Sequence, residues 1–243
     1  MSQSYADLYS PDKIRSLFDE MSKTYGVVNV LSSFGFCIWW RHQCLSLVNF
    51  PKQCVVYDLM SGMGELWPGI IKRSPDAKIT AVDLSAGMCA HAEIRAKHLE
   101  SKFGNEITIV QADILRSEIA ANSADVVVVS FGLKTFSIVQ LEALAAEVSR
   151  ILKPRGQFAF VEISVPRHSL LRWPYMQYVG RVIPIIGWLL LGNPDNYRML
   201  GVYTAAFGNC DSFSDCLRRE RLSVNQKSLF FGCAGAVYGC KPQ

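Results

Sequence analysis

Short apolar runs alternate with stretches of helical period through the middle of the chain. Cys54 to Leu59 (CVVYDL) is a β-rich run that ends in the turn signal Ser61-Gly62-Met63-Gly64. Pro68 suits the first turn of a helix running toward Arg73, Ser74-Pro75-Asp76 closes it, and Lys78 to Asp83 (KITAVD) follows as a second strand. Ser85 caps a helix through about Leu99. Ile107 to Gln111 reads as a third strand and Asp125 to Ser130 as a fourth, whose four consecutive valines imply burial on both faces. From about Ile138 to Leu152, the positions Leu141, Leu144, Ala145, Val148 and Ile151 recur at helical spacing. Lys153-Pro154-Arg155-Gly156 then stops that helix before a fifth strand, Gln157 to Ser164. This alternation predicts an α/β fold: a doubly wound, Rossmann-like sheet, mostly parallel, with helices on both faces.

The two ends differ from the middle. Ile14 to Leu47 reads as a helical preface with an aromatic stretch, Phe34 to Trp40, and Val165 to Gly192 lacks a clean period. Leu229 to Cys233 and Gly235 to Cys240 suit a C-terminal antiparallel hairpin. The expected organisation is one domain over residues 1–243, with residues 1–50 as a preface or lid and 165–210 as an insertion over the acceptor site.

Composition narrows the class. Half of the 243 residues are hydrophobic and 19% are charged, which excludes a disordered chain. The mean hydropathy of +0.16 is high for an ordinary soluble protein and implies a greasy surface. A net charge of +4, scattered over 25 basic and 21 acidic residues, gives no support to nucleic-acid binding. The eight cysteines are widely spread with no C-x-x-C pair, so reduced thiols are expected, and the start of the chain does not resemble a secretory signal. A cytoplasmic protein is the expectation. The longest apolar stretch, Val182 to Leu191, is broken by Pro184 and spans about half a membrane.

Candidate chemistry falls at strand ends. In a doubly wound sheet, ligands sit beyond the carboxyl ends of the strands, and the first strand delivers Asp58 followed by Gly62-x-Gly64. Glycine lets the backbone approach a ligand closely, and the helix after it offers free N–H groups. A dinucleotide fingerprint would need a third glycine where Trp67 stands, and no Walker-type G-K-[ST] occurs. Asp83 ends the second strand, where a carboxylate can accept hydrogen bonds from ribose hydroxyls; Asp113 after the third could receive an adenine amine. Each feature alone also fits an ordinary turn or a helix cap. Together they describe an adenosyl pocket with no phosphate clamp.

These residues resemble the class I S-adenosylmethionine methyltransferases, and among them the ubiquinone and menaquinone biosynthesis C-methyltransferases. The preface Phe18, Tyr25, Asn29, Leu31, Ser33-Phe34-Gly35 and Trp40-Arg41 matches that family's pattern. So do Ser130-Phe131-Gly132-Leu133, Leu152-Lys153-Pro154-x-Gly156, Glu162-x-Ser164-x-Pro166 and Asn196-Tyr197-Arg198-x-Leu200. The resemblance implies S-adenosylmethionine as cofactor and no metal. It places Ser61, Gly62, Met63 and Gly64 at the methionyl part, Asp83 at the ribose, and Asp113 and Ile114 beside the adenine, with Asp58 and Leu84 counted among the cofactor-binding residues. Ser130 would line the cleft, and Tyr25 would close on the methionyl carboxylate. Lys134, in place of the family's arginine, is the first candidate for electrostatic catalysis and His168 the second, with a surface histidine as the alternative for His168. Tyr197 and Arg198 either line the acceptor pocket or form a structural pair.

The implied function is methyl transfer to a small, hydrophobic aromatic acceptor, by C-methylation of a quinol-type ring. The departures Gly26, Met60-Ser61 and Lys134 keep two alternatives open: an N- or O-methyltransferase of a soluble specialised metabolite, and a non-catalytic S-adenosylmethionine-binding subunit. The expected partner is a small, lipophilic molecule, with peripheral contact to a membrane surface compatible with the apolar stretches. A homodimer is admitted without being required.

Overall fold

A computed structural model describes residues 8–191 and 194–243. Seven strands form one sheet in the order β3-β2-β1-β4-β5-β7-β6: β1 (Val55–Leu59), β2 (Lys78–Asp83), β3 (Glu106–Gln111), β4 (Ala124–Ser130), β5 (Leu152–Ile163), β6 (Ser223–Leu229) and β7 (Ala234–Cys240). The first five pair in parallel, and β7 runs antiparallel to both β5 and β6.

The valine run explains the layering. Val126 and Val128 join a core beneath α3 (Phe36–Leu45), α4 (Trp67–Arg73) and α5 (Ala86–Phe103), while Val127 and Val129 join one beneath α6 (Ile138–Ile151) and α10 (Asp211–Arg219). A strand covered on both faces must be apolar at odd and even positions alike. Ser85 caps α5 by accepting from Met88 N at 3.0 Å, and Ser137 forms a capping box with Gln140 at the start of α6.

The preface is helical as expected: α1 (Pro11–Met21), α2 (Tyr25–Ser32) and α3, the last two separated by Gly35 at φ 79°. Asp19 fastens α1 to the start of α5, its Oδ1 accepting from Gly87 N at 2.9 Å and from Ser85 Oγ at 2.5 Å. The segment after β5 also proves helical, with α7 (Ser169–Gln177), a π-helical turn (Tyr178–Val182), α8 (Ile183–Leu191) and α9 (Pro194–Phe207).

Two expectations need correction. The hairpin's first arm is the polar strand β6, and Phe230–Gly232 form the turn, because an edge strand open to water needs no apolar alternation. The fifth strand starts at Leu152 rather than Gln157; the register with β4 shifts between Ala124 and Val126, and that irregularity absorbs the expected turn. All eight cysteines are free, and all but Cys240 are buried. Among the described residues no helix is long and apolar enough to cross a membrane.

Candidate active site

The strand order reverses between β1 and β4, which opens a crevice at their carboxyl ends. Both strands leave it on left-handed residues, Met60 at φ 55° and Phe131 at φ 65°. Such backbone costs of order 1–3 kcal/mol per non-glycine residue and concentrates at ligand sites. Gly62 (φ 56°) and Gly64 (φ 76°) complete the loop after β1. A Cβ at Gly64 would lie 2.5 Å from the Trp67 ring, so only glycine fits there.

The crevice deepens into a cleft of about 860 Å³. Ser61, Gly62, Asp83 and Leu84 line it on the β1–β2 side. Asp113, Ile114, Ser130 and Tyr25 line the rest, and Pro11, Ile14, Arg15 and Phe18 of the preface form its outer wall. Asp83 organises the floor: Oδ2 accepts from Gly62 N at 2.7 Å and Oδ1 from Ser85 N at 2.9 Å. Loss of water around this carboxylate outweighs those bonds and lifts its pKa to about 6. Asp113 caps the single turn Ile114–Arg116, accepting from Leu115 N at 3.0 Å.

Three of the expected residues shape the loop without lining the cleft. Asp58, 1% exposed, accepts from Trp67 Nε1 at 2.9 Å, and burial pushes its carboxyl well above the usual range. Met63 turns toward the preface core, and its carbonyl accepts from Arg95 Nε at 2.7 Å. Gly64 packs on Trp67.

The cleft also contains residues that sequence reasoning did not single out. Arg41 reaches in from α3, with Nη2 3.4 Å from Glu65 Oε1, Nε 3.4 Å from Ser130 Oγ, and its guanidinium 5.0 Å from the centroid of the Phe131 ring. The Trp40-Arg41 pair in the preface was the available signal.

A second, apolar chamber of about 1360 Å³ adjoins the cleft, sharing Tyr25 and Phe131 with it. Phe36, Trp40, Tyr175, Tyr178 and Phe230 contribute to its walls, and among the described residues Lys134 is the only charged one lining it. Lys134 donates from Nζ to Glu162 Oε1 at 3.0 Å and to the Phe131 carbonyl at 2.6 Å. Glu162 in turn accepts from Lys134 N at 3.1 Å and from Ile163 N at 2.8 Å; the two side chains are 2% and 0% exposed. Glu162 is likewise outside the predicted site residues, although its block Glu162-x-Ser164-x-Pro166 matches the family pattern.

Three predicted residues border neither cavity. His168 is an exposed residue preceding α7. Tyr197 is 1% exposed in the core formed with α1 and α2, and Arg198 pairs at the surface with Asp195 at 2.7 Å. On α9, Tyr197 shares a face with the chamber-lining Leu200 and Thr204 but is buried one turn away from the chamber in the core with α1 and α2, and Arg198 turns outward.

The cleft fits an S-adenosyl group: it offers a strand-end carboxylate, close-approach glycines and the buried, unpartnered hydroxyl of Ser61. Comparison with known proteins agrees. A demethylmenaquinone methyltransferase of Thermus thermophilus is 30% identical over 93% of this chain and 100% of its own. The mitochondrial 2-methoxy-6-polyprenyl-1,4-benzoquinol methylase of Caenorhabditis elegans is 28% identical over 95% of this chain and 80% of its own. Among solved structures, a SAM-dependent methyltransferase from Aquifex aeolicus shares the fold, with a TM-score of 0.57 at 14% identity over 82% of this chain and 88% of that one. The model of the ubiE/COQ5 methyltransferase family matches residues 7–241. The chain belongs to that family and is an S-adenosylmethionine-dependent methyltransferase.

Proposed function

We propose that this enzyme methylates a ring carbon of a lipophilic, quinol-type acceptor. The observation that carries the reading is the junction of the two cavities: a polar cleft and a larger apolar chamber share the side chains of Tyr25 and Phe131. A cofactor held in the first would meet an acceptor held in the second without bulk water between them. The relatives named for demethylmenaquinone and a polyprenyl benzoquinol act on acceptors that such a chamber suits.

S-adenosylmethionine supplies an electrophilic methyl on a sulfonium. Asp83 accepts from the ribose hydroxyls, Asp113 and Ile114 flank the adenine, and the Ser61-Gly62 backbone meets the methionyl portion. A ring carbon becomes nucleophilic when its neighbouring hydroxyl loses a proton. Lys134, the one cation on the chamber wall among the described residues, stabilises the resulting phenolate, a contribution of about 10²–10⁴ in rate. Glu162 positions that ammonium and neutralises it while the chamber is empty.

The chamber's surroundings supply a route for a lipophilic acceptor. Phe34 of its lining is 79% exposed, Phe231 beside the lining residue Phe230 is 81% exposed, and Leu170 and Trp173 of α7 are 82% and 71% exposed. This apolar rim rests on a membrane surface and admits the acceptor from it.

The test is transfer of labelled methyl from S-adenosylmethionine to a host-cell extract under reducing conditions, followed by partition between organic and aqueous phases. Label is expected in the lipid phase and is expected to vanish in Lys134→Ala. Label confined to the aqueous phase would overturn the reading in favour of a soluble acceptor.

A further inference from the structure

The cofactor cleft holds an ion pair that the adenosyl reading leaves without a task. Arg41 is 7% exposed and permanently charged, with five donors to satisfy. Its two side-chain contacts, to Glu65 and Ser130, both stand at 3.4 Å, the long limit for N–H···O bonds. Arginines elsewhere in this protein do better even at the surface: Arg167 donates to Asp211 at 2.6 and 2.8 Å, and Arg150 to Glu147 at 2.7 Å through both Nε and Nη2. A buried guanidinium ordinarily compensates its desolvation with short, paired bonds. Arg41 therefore sits in a site that is incomplete.

A second, independent observation lies on the same cleft wall. Ser61 is 6% exposed, and its hydroxyl has no hydrogen-bond partner. Glu65, four residues along the same loop, lines the cleft with it and with Arg41. The site thus combines a loosely held cation, a loosely held carboxylate and an unused hydroxyl. Its chemical complement is a zwitterion with both charges close together, since two adjacent groups of opposite sign must each find a partner. An α-amino acid carries its carboxylate and ammonium on one carbon.

We infer that Arg41 and Glu65, with the Ser61 hydroxyl, clamp the α-amino-acid head of the cofactor. Arg41 takes the carboxylate, Glu65 the ammonium, and Ser61 bonds to one of them. The inference rests on the reading of this cleft as the S-adenosylmethionine site and adds a specific consequence. The preface helix α3 becomes part of the cofactor site, because it is the helix that brings Arg41. Arg41 also lies over Phe131, the ring common to cleft and chamber, so the clamp stands at the acceptor end of the cleft.

Titration calorimetry with three ligands tests this. S-adenosylmethionine and S-adenosylhomocysteine both carry the amino-acid head, whereas 5′-methylthioadenosine keeps the adenosine and sulfur and lacks it. In Arg41→Ala, affinity for the first two is expected to fall about 10- to 100-fold, with methylthioadenosine unchanged within about twofold. Arg41→Lys, which keeps the charge and fills most of the space, is expected to lose less, and Glu65→Gln to weaken the same two ligands selectively. An equal loss for all three ligands in both Arg41→Lys and Glu65→Gln would make the pair structural and overturn the clamp; so would full affinity for S-adenosylmethionine in Arg41→Ala. A wild-type protein that binds none of the three would instead overturn the cofactor-site reading on which the clamp depends.

Discussion

The cleft and the chamber touch at two side chains yet are built on opposite plans. The cleft lies where four parallel strands end, and most of its polar groups come from the strand ends and the short segments that follow them, Ser61 and Gly62, Asp83 to Ser85, Asp113 and Ser130, with Arg41 added from α3. The chamber lies between the preface, the helices after β5 and the β6–β7 turn, and among the described residues its single charge is Lys134. A sheet dictates where its strand ends are, so a polar ligand site can be assembled from backbone and a few carboxylates. An apolar site has no such template, and helices from remote parts of the chain enclose it. The comparison teaches that tolerance should differ: the cleft depends on individual atoms, and the chamber on one buried pair and on bulk.

The most severe test of that contrast is Glu162→Gln. It leaves the Lys134 ammonium in an apolar wall without a counter-charge, and breaking a buried pair from one side costs about 3–5 kcal/mol. Denaturant unfolding is expected to reveal that loss, and the double variant Lys134→Met, Glu162→Gln to recover most of it. A single variant as stable as wild type would mean that water reaches the pair.

In the cleft, Asp83→Ala is expected to weaken S-adenosylmethionine binding by about 2–3 kcal/mol through loss of charge-assisted hydrogen bonds. The wild-type affinity should also depend on pH. With its pKa raised to about 6, the carboxylate is protonated below that value, and binding to the ionised form then falls about tenfold per unit of further acidification. Asp83→Asn should remove this dependence. Because the folded value exceeds the ordinary one near 4, the same group favours the free fold at low pH, an advantage lost as the pH rises through 6. Calorimetry between pH 5 and 8 checks the binding slope, and a flat profile in wild type would remove Asp83 from the ribose site.

A smaller effect belongs to the chamber's rim. Replacing both Phe34 and Phe231 with Ser removes two highly exposed rings and should lower partition onto anionic liposomes about tenfold in flotation. Turnover of a short-chain, water-soluble quinol should be retained. Unchanged partition would place the membrane contact elsewhere.

The same contrast governs what the amino-acid order discloses. Buried parallel strands are continuous apolar runs, so β1, β2 and β4 are legible, and the acids at their ends come with them. The β6 segment Ser223–Leu229 is hidden because an edge strand can be polar, and α7 and α8 because Pro174 and Pro184 interrupt a stretch apolar on nearly every side. Asp83 and Asp113 were readable as positions. Arg41 with Glu65 and Lys134 with Glu162 are pairs separated by 24 and 28 residues, and no local pattern reports that two such side chains meet.

The least effect is expected at the candidate residues that lie outside both cavities. His168 is exposed outside both cavities, and Arg198 spends its charge on Asp195, three residues away on the same helix turn. Exposed pairs of this kind contribute about 0–1 kcal/mol. The double variant His168→Ala, Arg198→Ala should therefore keep both methyl transfer and cofactor affinity within about twofold of wild type and leave unfolding nearly unchanged. Tyr197 separates packing from chemistry more sharply, because it is fully buried yet borders neither cavity. Tyr197→Ala should destabilise the fold by about 3–5 kcal/mol, as removal of a buried aromatic ring does. Tyr197→Phe keeps the ring and removes a hydroxyl that lacks a hydrogen-bond partner, so stability and turnover should both hold. A tenfold loss of turnover in Tyr197→Phe at unchanged stability would bring Tyr197 back to the acceptor and require the chamber to extend into the core that α9 forms with the preface.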